Sequence, residues 1–258
     1  MQPKTIVITG STRGIGLGLA TELLQAGHQL IINGKNPEHL NAALIKLRKI
    51  SQQVEGVSGS ITIEQTHKQL FDKAIQTFWK VDIWINNAGV PQPNRLFVQI
   101  SENDIKQSVE TNIIGVMLGT KTAAGEMLKQ GWGKIFNMEG FGSDGRIMNK
   151  MSLYGTTKRA LHYFSKSVSA ELEGTPVQLG ILSPGMVRTD FLKNTTDPRT
   201  KEEAKQFDKV LRFLAEDPEK VTRFLSERLL RSTKQYDRIE FLTKRRLMVK
   251  LIRMMLHK

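Results

Sequence analysis

Tyr154 and Lys158, in the run Tyr154-Gly155-Thr156-Thr157-Lys158, stand four residues apart. On a helix that spacing raises both side chains from one face, about one turn apart. A lysine ammonium held beside a phenol favours the phenolate, so a tyrosine with an ordinary pKa of about 10 can exchange a proton nearer neutrality. Alone, the pair is equally a helix-surface tyrosine with an i,i+4 neighbour. It becomes chemistry only if the chain also holds a partner for that proton.

A second constellation lies near the N-terminus. Lys4 to Thr9 is a short apolar, β-branched run suited to a buried parallel strand. It leads into Thr9-Gly10-Ser11-Thr12-Arg13-Gly14-Ile15-Gly16 and then a helical pattern through Leu17, Leu19, Ala20, Leu23 and Leu24. Gly10 suits a tight turn, Gly14 a close approach of pyrophosphate to backbone, and Gly16 close packing of helix on sheet. The free N–H groups and positive dipole end of that helix would receive the phosphates. The spacing is Gly-x-x-x-Gly-x-Gly, not the better-known Gly-x-Gly-x-x-Gly, and a flexible strand-helix turn is the plainer reading of these glycines taken alone.

The elements that must position these groups alternate as βαβα, the pattern of a parallel sheet covered on both faces. Strands are expected at Lys4–Thr9, Gln29–Asn33, Val54–Ser58, Val81–Asn86, Gly133–Met138 and Val177–Ser183, with a short seventh at Arg238–Leu242. Helices are expected after the glycine turn and at Pro37–Ile50, Ile63–Phe78, Glu102–Lys106, Thr111–Gln130, Leu153–Glu173, Lys201–Leu214 and Pro218–Leu230. The fold class is therefore α/β, a doubly wound parallel sheet of Rossmann type. Residues 1–258 read as one domain, with a helical segment at 193–235 and a basic amphipathic tail at 243–258. No repeat, low-complexity tract or linker interrupts it.

With 258 residues, 39% hydrophobic and 24% charged, the chain is large enough for one sizeable α/β core. It contains no cysteine, which excludes disulfides, thiolate metal sites and cysteine nucleophiles and fits a cytoplasmic protein. No metal site is expected. Met1-Gln2-Pro3-Lys4 leads straight into the first strand, so no signal or transit peptide is expected, and no apolar run approaches a membrane span of about 20 residues. The formal charge of +13 is concentrated at the C-terminus, where Val221–Lys258 holds eleven Lys/Arg against three Asp/Glu. A nucleic acid or an anionic lipid surface could face such a tail; without an aromatic RNA-binding signature or a zinc-ligand cluster, nucleic acid is not expected.

Thr9-Gly10-x-x-x-Gly14-Ile15-Gly16, Asn86-Asn87-Ala88-Gly89, Asn112, Tyr154-x-x-x-Lys158 and Pro184-Gly185 occur in one order at coherent spacing. Together they resemble the short-chain dehydrogenase/reductase family from Lys4 to about Asp190. The resemblance implies a nicotinamide cofactor bound along Gly10, Ser11, Arg13, Gly14, Ile15 and Gly16. Asn87, Ala88 and Gly89 would lie along the adenine ribose, and Pro184, Gly185 and Thr189 at the nicotinamide. Many relatives carry an aspartate after the third strand; here Gly59-Ser60 stands instead, leaving Ser60 or a backbone carbonyl for the adenine amine. The second strand ends Asn33-Gly34-Lys35-Asn36, without the acidic residue that would bind an NAD ribose. Lys35 and Arg13 would instead meet a 2′-phosphate, so the expected cofactor is NADP(H).

The same resemblance makes Tyr154 the general acid/base, Lys158 the group that lowers its pKa and holds the ribose, and Asn112 a helix-bending, water-binding residue. The usual Asn-x-Ser-Ser at the end of the fifth strand is missing. Here Asn137-Met138-Glu139-Gly140-Phe141-Gly142-Ser143 puts Gly140 in the serine's register. Ser143 is the candidate replacement, with a backbone N–H or water as the alternative. The Ile135–Ser143 loop, Tyr154–Arg159, Leu182–Val187 and Phe213–Val221 resemble the chlorophyll(ide) b reductase branch. That likeness implies a formyl group on an apolar porphyrin, reduced with NADPH. A short-chain reductase of another carbonyl substrate and a cofactor-binding scaffold with little turnover are the competing readings. Family members are commonly dimers or tetramers, which makes a homodimer or homotetramer the expected assembly, and the segment after the sixth strand is expected to cover an apolar small-molecule carbonyl substrate. In Lys244–Lys258, Leu247, Leu251, Met254 and Met255 share a helical stripe flanked by Lys250 and Arg253. Such a helix can rest on an anionic bilayer as a peripheral membrane contact, or dock on its own domain or a sister subunit.

Overall fold

In the computed structural model of the chain, which describes residues 2–191, 214–243 and 245–250, the expected strands are β1 Thr5–Ile8, β2 Gln29–Gly34, β3 Val54–Ser58, β4 Ile83–Asn86, β5 Gly133–Met138, β6 Val177–Ser183 and β7 Arg238–Glu240. They form one parallel sheet in the order β3-β2-β1-β4-β5-β6-β7. The helices are α1 Gly14–Gln25, α2 Pro37–Arg48, α3 Glu64–Phe78, α4 Glu102–Val109, α5 Gly115–Gln130, α6 Ser152–Glu171 and α7 Pro218–Arg231. Successive side chains on β1 supply opposite faces, as a strand with a period of two must. Ile6 and Ile8 join one apolar cluster with α1, α2 and α7. Val7 joins the other, with α3 and α5. Both faces are thus covered, which is why the strands read as continuous apolar runs.

Strands β3, β5 and β6 have the expected bounds. The expected pair of helices near Glu102–Lys106 and Thr111–Gln130 is instead one helical rod: α4 passes through a five-residue π segment, Glu110–Ile114, into α5. The helix expected at Lys201–Leu214, and the substrate-covering segment as far as residue 213, lie almost wholly outside the described residues. The described remainder of that segment packs on the sheet and α1. Val221, Leu225 and Leu229 of α7 are buried in the core. A Cβ on Gly18 would stand 2.7 Å from the Thr222 methyl, so α7 lies directly on α1. This face of α7 thus helps to build the domain core.

Residues 245–250 are helical. Arg246 stacks over both Phe224 and Phe241, 4.9 and 4.8 Å from the ring centres, and Lys250 pairs with Glu216 at 2.6 Å. The start of the tail is therefore docked on its own domain. Leu251, Met254 and Met255 of the expected stripe lie outside the described residues. Among the described residues no helix is long and apolar enough to cross a membrane, and no group of three or more His, Cys, Asp or Glu could hold a metal ion.

Candidate active site

The strand order reverses between β1 and β4, and ligands of open parallel sheets bind at the carboxyl ends of such a pair. Both strands end there in the expected motifs. Gly10 has φ +60°, and a Cβ on it would stand 2.7 Å from the Ala88 Cα, so the glycine turn and the Asn86–Gly89 turn touch through backbone. Asn87 holds that contact: its amide donates to the carbonyls of Thr9 (3.0 Å) and Gly10 (2.9 Å). Gly16 leaves no room for a side chain, since a Cβ would lie 2.5 Å from the Gly10 oxygen and the Asn87 amide. Gly14, by contrast, faces open space apart from the Thr189 methyl at 3.8 Å, which brings the loop after β6 across the turn. Ile15 turns inward against the core.

The Ser11 side chain turns inward. Its hydroxyl donates to the Ile8 carbonyl (2.7 Å) and accepts from the Asn33 N–H (2.9 Å), and the residue is fully buried. Its side chain thus ties the turn to β2. Asn33, absent from the expected set, completes the tie: its amide donates to the carbonyls of Val57 and Gly59, and its oxygen accepts from the Gly10 N–H. Ser60 is paired with Thr62 at 2.9 Å. Arg13 and Lys35 are both exposed, and Gly34, next to Lys35, packs on Thr12 of the turn.

At the other end of the crevice, Tyr154, Lys158 and Asn112 are buried together. Tyr154 and Lys158 are on α6, one turn apart, with the Lys158 Nζ 5.6 Å from the phenol ring centre. That ammonium donates to the Met138 carbonyl at 3.0 Å. Burial pushes Lys158 down to about 8, against the opposing pull of the Glu139 carboxylate. Burial pushes the Tyr154 phenol up, not down. Desolvation is the cause, and the lowering expected from the lysine does not appear. Asn112 sits in the π segment, accepting from the Val90 N–H (2.8 Å) and donating to the Val90 carbonyl (3.0 Å) and Thr157 (3.3 Å). Gly89 lies between Asn112 and Lys158, and Pro184-Gly185 turns the chain after β6, with Gly185 at φ +73°.

Gly140, in the register of the missing serine, faces the phenol. A Cβ on Gly140 would overlap the Tyr154 hydroxyl and stand 3.0 Å from its Cζ, so the phenol occupies the space a side chain at 140 would need. Ser143 is buried in the same loop, its N–H donating to the Gly140 carbonyl (3.3 Å) and its carbonyl accepting from Arg159 (3.0 Å). None of these contacts reaches Tyr154.

Several residues at the site carry no motif. Phe191 packs edge-on against Tyr154 with ring centres 5.7 Å apart. The Glu139 side chain, 1% exposed, accepts from His162 (2.5 Å) and from Arg238 (3.2 Å), one residue after the Met138 whose carbonyl holds Lys158. An acidic residue directly after the buried end of β5 was the available signal for it. Gln92, buried in the loop after β4, accepts from the Tyr154 N–H.

The short chain dehydrogenase family model matches residues 4–200. A probable chloroplastic chlorophyll(ide) b reductase of Oryza sativa subsp. japonica is 34% identical over 97% of this chain and 52% of its own length. A chloroplastic chlorophyll(ide) b reductase of Arabidopsis thaliana is 37% identical over 86% of this chain and 64% of its own. The chain thus spans between about half and two thirds of the length of these relatives. Among solved structures, a short chain dehydrogenase/reductase from Burkholderia phymatum in complex with NAD has a TM-score of 0.82 at 22% identity, covering 97% of this chain and 92% of that one. It supports the fold.

Proposed function

The chain belongs to the short chain dehydrogenase family, whose model covers residues 4–200, and from that premise we propose an NADP(H)-dependent reductase that converts a carbonyl to an alcohol with Tyr154 as general acid/base. The observation that carries this reading is the buried phenol of Tyr154 beside the Lys158 ammonium, at the carboxyl edge of the strands next to the glycine turn. A phenol that keeps its proton suits the direction of reduction, in which a proton must be given to a carbonyl oxygen.

The chain's residues fit the cofactor. Gly14 leaves backbone open at the start of α1, where N–H groups and the helix dipole favour phosphate. Arg13 and Lys35 would meet a 2′-phosphate, and Thr189, beside Gly14, would meet the carboxamide. When bound, NADP(H) supplies the hydride. Tyr154 gives its proton to the carbonyl oxygen, Lys158 fixes charge beside it, and Asn112 holds the Val90 loop and a path for the proton's replacement. A positioned acid of this kind contributes roughly 10²–10⁴ in rate.

A formyl group on a large apolar porphyrin is the substrate we favour. Two relatives named as chlorophyll(ide) b reductases support it. So do the exposed Leu96, Phe97, Val98 and Ile147 on the loops after β4 and β5, which offer apolar surface at the carboxyl edge. The test is NADPH oxidation with chlorophyllide b and simple aldehydes, comparing wild type with Tyr154→Phe. Loss of turnover by at least about 10²-fold with NADPH binding retained is the expected result. Identical traces would instead favour a cofactor-binding scaffold, a reading that rests on the glycine at position 140.

A further inference from the structure

The first turn of α6 carries Tyr154, and it begins without a cap of its own. Met151 at the N-cap makes no side-chain hydrogen bond, although the first N–H groups of any helix lack partners within it. Lys150, just before it, is one of two non-glycine residues at positive φ (61°) among the described residues. The loop after β4 supplies what is missing. Gln92 is 1% exposed, its side-chain oxygen accepts from the Tyr154 N–H at 2.7 Å, and its amide nitrogen donates to the Lys150 carbonyl at 2.5 Å.

The other end of the Tyr154 peptide is also held: its carbonyl accepts from Thr157 Oγ1 at 2.7 Å. Thr157 Oγ1 in turn accepts from Asn112 at 3.3 Å, and Asn112 grips both the N–H and the carbonyl of Val90. Val90 and Gln92 are two residues apart on one loop. The bonds therefore close a ring: Asn112 to Val90, along the chain to Gln92, across to Tyr154, through Thr157 and back to Asn112. Gln92 is the link by which the loop side of the crevice reaches the backbone of Tyr154.

The geometry points to Gln92 as a positioning residue for the proposed reaction: it caps α6 from outside and sets where the Tyr154 phenol stands. The proposal rests on Tyr154 being the acid/base. A polar amide buried this deeply is worth its desolvation only when both ends are bonded, as they are here. The phenol must also be placed finely, because the space beside it at Gly140 has no slack. An error of about 1 Å at such a group costs on the order of 10²-fold in rate.

The test uses the full chain loaded with NADPH, as wild type, Gln92→Met and Gln92→Glu. Methionine matches the length and bonds at neither end; glutamate can still accept from the Tyr154 N–H but cannot donate to Lys150. Three readouts are compared: hydrogen exchange at the Tyr154 amide, the ring 13Cζ signals of the three tyrosines, assigned with Tyr154→Phe, and turnover of chlorophyllide b or 4-nitrobenzaldehyde. In Gln92→Met, exchange at that amide should rise about 5- to 10-fold. The Tyr154 ring signal should move while those of Tyr163 and Tyr236 stay. The kcat should fall about 10- to 100-fold with the KM for NADPH within about twofold. Gln92→Glu should keep the Tyr154 amide protected and recover part of the kcat. An unchanged amide and ring signal in Gln92→Met overturns the proposal, as does a moved signal with undiminished kcat. If wild type turns over neither probe, the proposed reaction fails, and the ring signal still decides whether Gln92 places the phenol. If Gln92→Met does not fold, a Gln92→Glu protein whose Tyr154 amide exchanges freely overturns it.

Discussion

Gly10 at the end of β1 and Gly140 at the end of β5 both stand where a side chain would collide, but with different things. At Gly10 the obstacle is the Ala88 backbone and the φ is +60°, so two turns are pressed together and neither can yield. At Gly140 the obstacle is the hydroxyl end of the Tyr154 side chain, on a backbone of ordinary φ. One glycine serves the architecture of the crevice; the other leaves room for a single side-chain hydroxyl. The difference teaches that a glycine marks required space without saying whether backbone or chemistry fills it.

Paired substitutions test that contrast. Gly140→Ala should lower turnover by about 10²-fold by pushing the phenol aside, while stability changes by less than about 1 kcal/mol, because a side-chain end can swing away. Gly10→Ala should do the reverse in emphasis, costing about 2–3 kcal/mol in thermal or denaturant unfolding through strain and backbone overlap. A Gly140→Ala protein that unfolds early but retains its kcat would erase the distinction.

A smaller effect concerns the charges behind the phenol. Glu139 supports the Lys158 ammonium against burial, and it is itself faced by His162 from α6, by Arg238 from β7 and by Tyr236. Activity that needs the ammonium should fall as pH rises through about 8. Glu139→Gln removes the negative charge, favours the neutral amine and should move that limb to lower pH in a pH–rate profile. A limb that stays in place would show that the carboxylate acts on packing alone. At the cofactor end the change is milder still. Arg13→Ala and Lys35→Ala should each raise the KM for NADPH about 10-fold while leaving that for NADH within about twofold, as expected for one charge-assisted contact to a phosphate.

The contrast also explains what the sequence disclosed. β3, β5 and β6 were legible to the residue because strand bounds follow local apolar runs and the turns beside them. The Gly10–Gly16 turn and the Tyr154/Lys158 pair were legible because each is local, with all its parts within a few residues. The phenol's occupation of the Gly140 space was not, since it depends on a rotamer packed across the crevice. The contacts of Gln92 with Tyr154, 62 positions away, and of Glu139 with Arg238, 99 positions away, were equally hidden. Periodicity reports the face a residue is on, never the distant group it meets there. The inward turn of the Ser11 side chain was hidden for a related reason: its partner Asn33 belongs to the next strand.

The π segment at Glu110–Ile114 carries one more consequence. Such a segment holds one residue more than the turn it replaces, and a single residue rotates a helix by about 100°. Excising one residue there would let the rod coil regularly, with better internal bonding, yet would swing Asn112 out of phase with the Val90 loop. The shortened protein would be the sturdier rod and the poorer catalyst.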